Sequence, residues 1–113
     1  MGNPVAGPQP GIVGRQYGID VSTAITAANA QCMATSQYNG FIVPRGYQSS
    51  GNVDTNVCTD IINAYNAQIP YRDAYIFPCP KCASTAAQQV SSLVSYLQSN
   101  CLTQWSGRVI NIF

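Results

Sequence analysis

Residues 74–97, AYIFPCPKCASTAAQQVSSLVSYL, decide how this chain folds. Ala74-Tyr75-Ile76-Phe77 is a short continuous apolar run, the pattern of a strand covered on both faces. Pro78 to Cys82 reads as a turn, since two prolines in three residues cannot donate to a ladder. Val90, Leu93, Val94 and Leu97 then recur at i, i+3, i+4 and i+7, which marks one face of an amphipathic helix. Strand, turn and helix in this order call for a further strand parallel to the first, and Val109-Ile110-Asn111-Ile112-Phe113 supplies it.

The same unit repeats toward the N-terminus. Gln16 to Val21 predicts a strand, and Ser22 or Thr23 can cap a helix that runs through the Ala-rich stretch to about Ser36. Phe41-Ile42-Val43 predicts the second strand, followed by a loop from Pro44-Arg45-Gly46-Tyr47 to Asn52. Asp54 or Thr55 caps a second helix, in which Val57, Ile61 and Tyr65 recur every four residues, Cys58 and Ile62 widen the stripe, and Pro70 ends the element. The order β-α-β-α-β-α-β places the chain in the α/β class, with about four parallel strands, three helices and right-handed crossovers. A chain of 113 residues suits one domain, expected over 16–113 behind a flexible Pro/Gly-rich head at 1–15.

Composition removes several functions. Apolar residues make up 46% and charged ones 8%, with a net charge of +1, so a core can form but no basic stripe exists to hold phosphates. Nucleic acid is therefore not an expected partner. With His at 0 and Asp20, Asp54, Asp60 and Asp73 as the acids, no Glu is present either. Ser-His-Asp and Cys-His catalysis, and metals held by His, lack their key group. No apolar stretch approaches the roughly 18 residues of a membrane span, and residues 1–11 lack the basic start and apolar run of a signal peptide. No membrane partner and no cofactor are expected.

In parallel α/β folds ligands gather at the carboxyl ends of the strands. That edge would carry Asp20 after strand one, Arg45, Tyr47 and Asp54 after strand two, and Tyr75, Cys79 and Cys82 at and after strand three. Asp73 opens its strand and Asp60 lies within a helix, so neither reaches the edge. Asp20 reads either as an acid facing a ligand or as a turn and helix cap, and Asp54 reads first as a cap. Tyr47 and Tyr75 have the chemistry to stack on sugar faces and bond to hydroxyls.

Cys79-Pro80-Lys81-Cys82, between a strand and a helix, is open to three readings: a thioredoxin-like dithiol, a structural disulfide, or half of a metal site. Zinc needs four ligands and Cys32, Cys58 and Cys101 offer no second close pair, so no metal centre is expected. Ser106-Gly107-Arg108 also lacks the proline that would open a thioredoxin's following strand. Five cysteines point toward an oxidising compartment, and the odd number leaves one over.

Taken as a series, Tyr17-Gly18-Ile19-Asp20-Val21-Ser22, Phe41-Ile42-Val43-Pro44-Arg45-Gly46-Tyr47, Asp54-Thr55-Asn56, Ala64-Tyr65-Asn66-Ala67 and Ala74 to Cys82 resemble the family 25 glycoside hydrolases. The likeness is greatest to the lysozyme-like branch of nematodes and protists, over roughly residues 16–100. It implies a β/α barrel of which this chain makes the first half. It also implies a muramidase that cleaves the muramic acid to glucosamine bond of bacterial peptidoglycan, and a secreted or lysosomal/phagosomal location. Asp20 falls on the family's strand-one acid at the substrate cleft and Tyr75 on an aromatic of strand three.

The family's other acids form an Asp-x-Glu pair closing strand four, where this chain reads Val109-Ile110-Asn111-Ile112-Phe113. The resemblance thus predicts a truncated or degenerate muramidase-like chain with little or no activity. A non-catalytic glycan-binding remnant is the alternative, and a Cys-x-x-Cys thiol oxidoreductase the third reading. Four strands cannot close a barrel of eight, which predicts homodimerisation through the open sheet edges.

Overall fold

A computed structural model describes residues 17–111, so the expected head at 1–15 lies outside the described residues. The elements run β1 (Gly18–Val21), α1 (Ala27–Ala34), β2 (Phe41–Gln48), β3 (Asn52–Val53), α2 (Val57–Asn66), β4 (Tyr71–Arg72), β5 (Ala74–Ile76), α3 (Ala86–Cys101) and β6 (Val109–Asn111). The spatial order is β1-β2-β5-β6, all parallel neighbours. The class and the three helices are those read from the sequence. The sheet is open, and it carries two short additions: β3 returns antiparallel on β2, and β4 pairs parallel with the start of β2.

Strand β2 runs through the stretch expected to be a loop. Pro44 sits where the partners of β2 change from β4 to β5, and the register shifts between Arg45 and Tyr47, so the missing amide falls at a break in the ladder. Gly46 lies in that bulge, and a Cβ there would stand 2.6 Å from a Leu93 methyl, so glycine lets α3 seat on the sheet. The third strand is likewise split. Asp73 separates β4 from β5, and its carboxylate accepts from Arg108 Nε at 3.0 Å and Nη2 at 2.9 Å.

Helix α1 starts at Ala27, later than Ser22 or Thr23 would have it. Thr26 builds a capping box, its hydroxyl accepting from Asn29 N while Asn29 Oδ1 accepts from Thr26 N. Thr85 and Gln88 repeat the device at the head of α3. Neither Asp54 nor Thr55 is the cap of α2; Asn56 holds that position and makes no side-chain cap bond.

Tyr65, expected on the buried stripe of α2, is 44% exposed with the Arg72 guanidinium 5.2 Å from its ring centre. The helix ends in a Schellman turn, with Ile69 N donating to Ala64 O and Gln68 N to Tyr65 O. Gln68 takes the left-handed position at φ 67° that glycine usually fills.

One cluster packs Ala30 and Met33 of α1 and Ala64 of α2 on Ile42, with Ile19 and Val21 against it. A second packs Val57, Cys58 and Ile61 of α2 and Leu93, Leu97 and Cys101 of α3 on Ala74 and Ile76. The buried face of α3 is Gln89, Leu93, Leu97 and Cys101, whereas Val90 is exposed. All three helices therefore cover the same face of the sheet. The opposite face presents a groove of about 370 Å³ along Phe41, Val43, Tyr71, Asp73, Arg108 and Ile110. Among the described residues no helix is long and apolar enough to cross a membrane, and no group of ligands could hold a metal ion.

Candidate functional site

Side chains alternate along a strand, so register decides what shares a face. Asp20 is level with Val43 and Arg45 with Tyr75. Val43 and Arg45 are two residues apart, so Asp20, Arg45 and Tyr75 lie on the face away from the helices. Each stands at or near the carboxyl end of β1, β2 or β5, on three adjacent strands. About 4.8 Å separates neighbours, so the whole set spans roughly two strand spacings.

Asp54 joins this group through the β2–β3 hairpin. Its backbone N–H donates to Gly46 O at 2.8 Å, and its Oδ2 accepts from Arg45 Nε at 2.9 Å. Oδ1 accepts from Asn56 N at 3.1 Å, an Asx turn leading into α2. Asp54 is buried, so its pairing keeps the partly exposed Arg45 guanidinium aligned beside Tyr75. The phenol of Tyr75 is held above its ordinary pKa, first by burial, with Arg45 opposing the shift and the negative charges of Asp20 and Asp54 adding to it. Tyr75 thus feels the charges of all three other groups and stays a neutral donor. Asp20 is exposed to solvent at the edge of the group.

Tyr47 does not present its ring at the rim. It is 4% exposed, packs with the α2–α3 cluster, and its hydroxyl donates to Gly51 O at 3.0 Å. Tyr75 is 8% exposed, so it offers an edge and a hydroxyl more than a flat stacking platform. Cys79 and Cys82 are joined in a disulfide, as are Cys58 and Cys101, which leaves Cys32 as the free, exposed cysteine. Asp73 and Asp60 stay away from the rim as the sequence implied, each with a structural role.

Gln89, which braces the site, escaped the sequence reading, and so did the burial of Asp60 behind it. Gln89 is 1% exposed and grips Cys79 from both sides: Oε1 accepts from Cys79 N, and Nε2 donates to Cys79 O, each at 2.9 Å. The signal for it was the four-residue spacing back from Cys101 through Leu97 and Leu93. Asp60 is 2% exposed and accepts from Ile25 N at 2.7 Å, while Asn63 Nδ2 donates to Ile25 O. Burial pushes the Asp60 carboxyl up to about 6, against the lowering effect of the Ile25 bond and with a smaller push from Asp54. No sequence pattern separates such an acid from an exposed one in the same turn.

Comparison with known proteins follows the same chain segment. A family model described as lysozyme-like protein 1 matches residues 13–106. Probable GH family 25 lysozyme 2 of Dictyostelium discoideum is 40% identical over 81 residues, which is 72% of this chain and 37% of that protein. Lysozyme-like protein 5 of Caenorhabditis elegans is 41% identical over 78 residues, or 67% and 36%. Probable GH family 25 lysozyme 4 of Dictyostelium discoideum is 34% identical over 87 residues, or 77% and 40%. The chain thus spans about two fifths of the length of these relatives. No solved structure matches it. With the match running from ahead of β1 to past α3, the chain belongs to the lysozyme-like family and is related to its family 25 lysozymes.

Proposed function

We propose that residues 17–111 form the first half of a muramidase-type β/α barrel and contribute one side of a cleft for the glycan strands of bacterial peptidoglycan. The observation that carries this reading is the convergence of Asp20, Arg45, Asp54 and Tyr75 at the carboxyl ends of three adjacent parallel strands. An exposed carboxylate, an aligned guanidinium and a neutral phenol are donors and acceptors suited to sugar hydroxyls and acetamido groups. The two disulfides and the lysozyme relatives suit an extracellular or lysosomal setting.

Hydrolysis of a glycosidic bond ordinarily needs two carboxyl groups, about 5 to 9.5 Å apart, one of them a proton donor. In this 113-residue chain the acids at the rim are Asp20 and Asp54, and both oxygens of Asp54 already accept hydrogen bonds within the fold. The chain by itself accordingly binds glycan with little or no muramidase activity. Turbidity of a Gram-positive wall suspension, read beside co-sedimentation of the chain with the walls, tests this. Binding without clearing is the expected result; clearing abolished by Asp20→Asn would refute the inactive reading. A thiol oxidoreductase finds less support, because Cys79 is buried and its backbone is pinned by Gln89.

A further inference from the structure

The β2–β3 hairpin carries Arg45 on one arm and Asp54 at the end of the other, and its tip is Gly51. That tip touches the loop that leaves β5. Gly51 has φ 99°, and a Cβ placed on it would lie 2.6 Å from Cys82 Sγ and 3.8 Å from Cys79 Sγ. The disulfide therefore seats against the bare backbone of the hairpin tip. Below it, the Gln89 amide fixes the backbone of Cys79 and also donates to Ser84 O, so the far end of the loop is anchored to α3. Two further bonds finish the frame: Tyr47 OH donates to Gly51 O, and Phe77 N donates to Tyr47 O.

We propose that the Cys79–Cys82 disulfide, braced by Gln89, is a thiol-releasable clamp that fixes the Arg45–Asp54 hairpin relative to Tyr75, so that reduction loosens the rim and weakens glycan binding. The binding half of this inference rests on the function proposed above. The chemistry is ordinary exchange with a dithiol reductant. A thiolate of the reductant attacks Sγ of Cys82, the more exposed of the pair, and releases Cys79 as a thiolate that takes up a proton. The reductant's second thiol then closes on the mixed disulfide. Two electrons pass to the protein, leaving two cysteine thiols and an oxidised cyclic reductant.

The second bridge is placed to survive. Cys58 is 5% and Cys101 2% exposed, both inside the α2–α3 cluster. It also closes a chain separation of 43 residues against 3 for the clamp, and the stabilisation from a cross-link grows with the loop it closes. Mild reduction therefore opens the rim without unfolding the domain. Gln89 acts here as a positioning residue, through Cys79.

The test uses the intact chain, oxidised and after mild dithiol treatment, with thiol alkylation and mass analysis to confirm that, beside the free Cys32, only Cys79 and Cys82 become reactive. Amide hydrogen exchange at Gly51, Asp54 and Phe77, whose N–H groups bond within the frame, reads the clamp without any ligand. Co-sedimentation with peptidoglycan reads binding. Selective reduction, and the double variant Cys79→Ser/Cys82→Ser, should speed exchange at these three amides and weaken wall binding by about tenfold, with the cooperative melt retained. Gln89→Met should do the same with the disulfide intact, and Gln89→Glu should recover only part, keeping the acceptor for Cys79 N. Unchanged exchange and unchanged binding after selective reduction would overturn the proposal. Faster exchange in a chain whose oxidised form binds no glycan would keep the clamp and sink the functional reading instead.

Discussion

Asp60 and Gln68 each hold an unfavourable state. Among the described residues no cation pairs with Asp60, and its carboxyl is pushed up to about 6 from 3.8. Folding then favours the protonated form: the contribution is full below about pH 4 and is lost as pH rises through 6, a difference on the order of 3 kcal/mol. Asp60→Asn keeps an acceptor for Ile25 N and removes the titration. Chemical denaturation across pH 4 to 8 should show stability falling with pH in the parent and nearly flat in the variant; parallel curves would contradict this. Gln68 sits at φ 67° in the Schellman turn, where a side chain costs about 1 kcal/mol relative to glycine. Gln68→Gly should raise stability by about that much in the same assay, and a loss would show that the side chain makes a compensating contact.

Cross-links and caps set the elements in place, and they also show where the sequence could be read. Cys58–Cys101 ties α2 to α3 across 43 residues, which in the loop-closure picture corresponds to about 4 kcal/mol, against about 2 for the three-residue Cys79–Cys82 link. Replacing the first pair by alanine should lower the melting temperature markedly more than replacing the second; equal losses would contradict the assignment. Periodicity located α2 and α3, because burial of one helix face imposes a spacing that survives in the residues, while α1 was read from a cap and its Ala-rich stretch and the main strands chiefly from short apolar runs. Boundaries were less visible. The start of α1 depended on Thr26 and Asn29 forming a capping box without the usual Glu or Gln at its third position. Strand β2 ran past Pro44, which sits where its partners change from β4 to β5, and Tyr65 lies outside the core with the Arg72 guanidinium over its ring. The rim was legible as far as it depended on strand ends: Asp20, Arg45 and Tyr75 meet there. It was illegible where a long-range contact decides exposure, as for Tyr47, buried beneath Gly51, and for Gln89, clasped to Cys79.

Across the whole molecule, a parallel sheet that helices among the described residues cover on one face only is the dominant feature. Such sheets are ordinarily covered on both. Among the described residues no strand pairs with the outer side of β1 or β6. The 113-residue chain by itself should therefore associate through these edges, and sedimentation velocity over a wide concentration range should show a dimer growing at the expense of monomer. A monomer with a sharp melt at high concentration would contradict this. Glycan binding at the carboxyl rim of the open face, as proposed above, is tested most directly by a ¹H–¹⁵N chemical-shift titration of the oxidised chain with soluble, peptide-free peptidoglycan fragments. Saturable shifts should centre on Asp20, Arg45, Asp54 and Tyr75, with little change at Phe41 and Tyr71 at the opposite strand ends of the open face. Shifts confined to Phe41 and Tyr71, or none at saturating fragment, would contradict glycan binding at the rim.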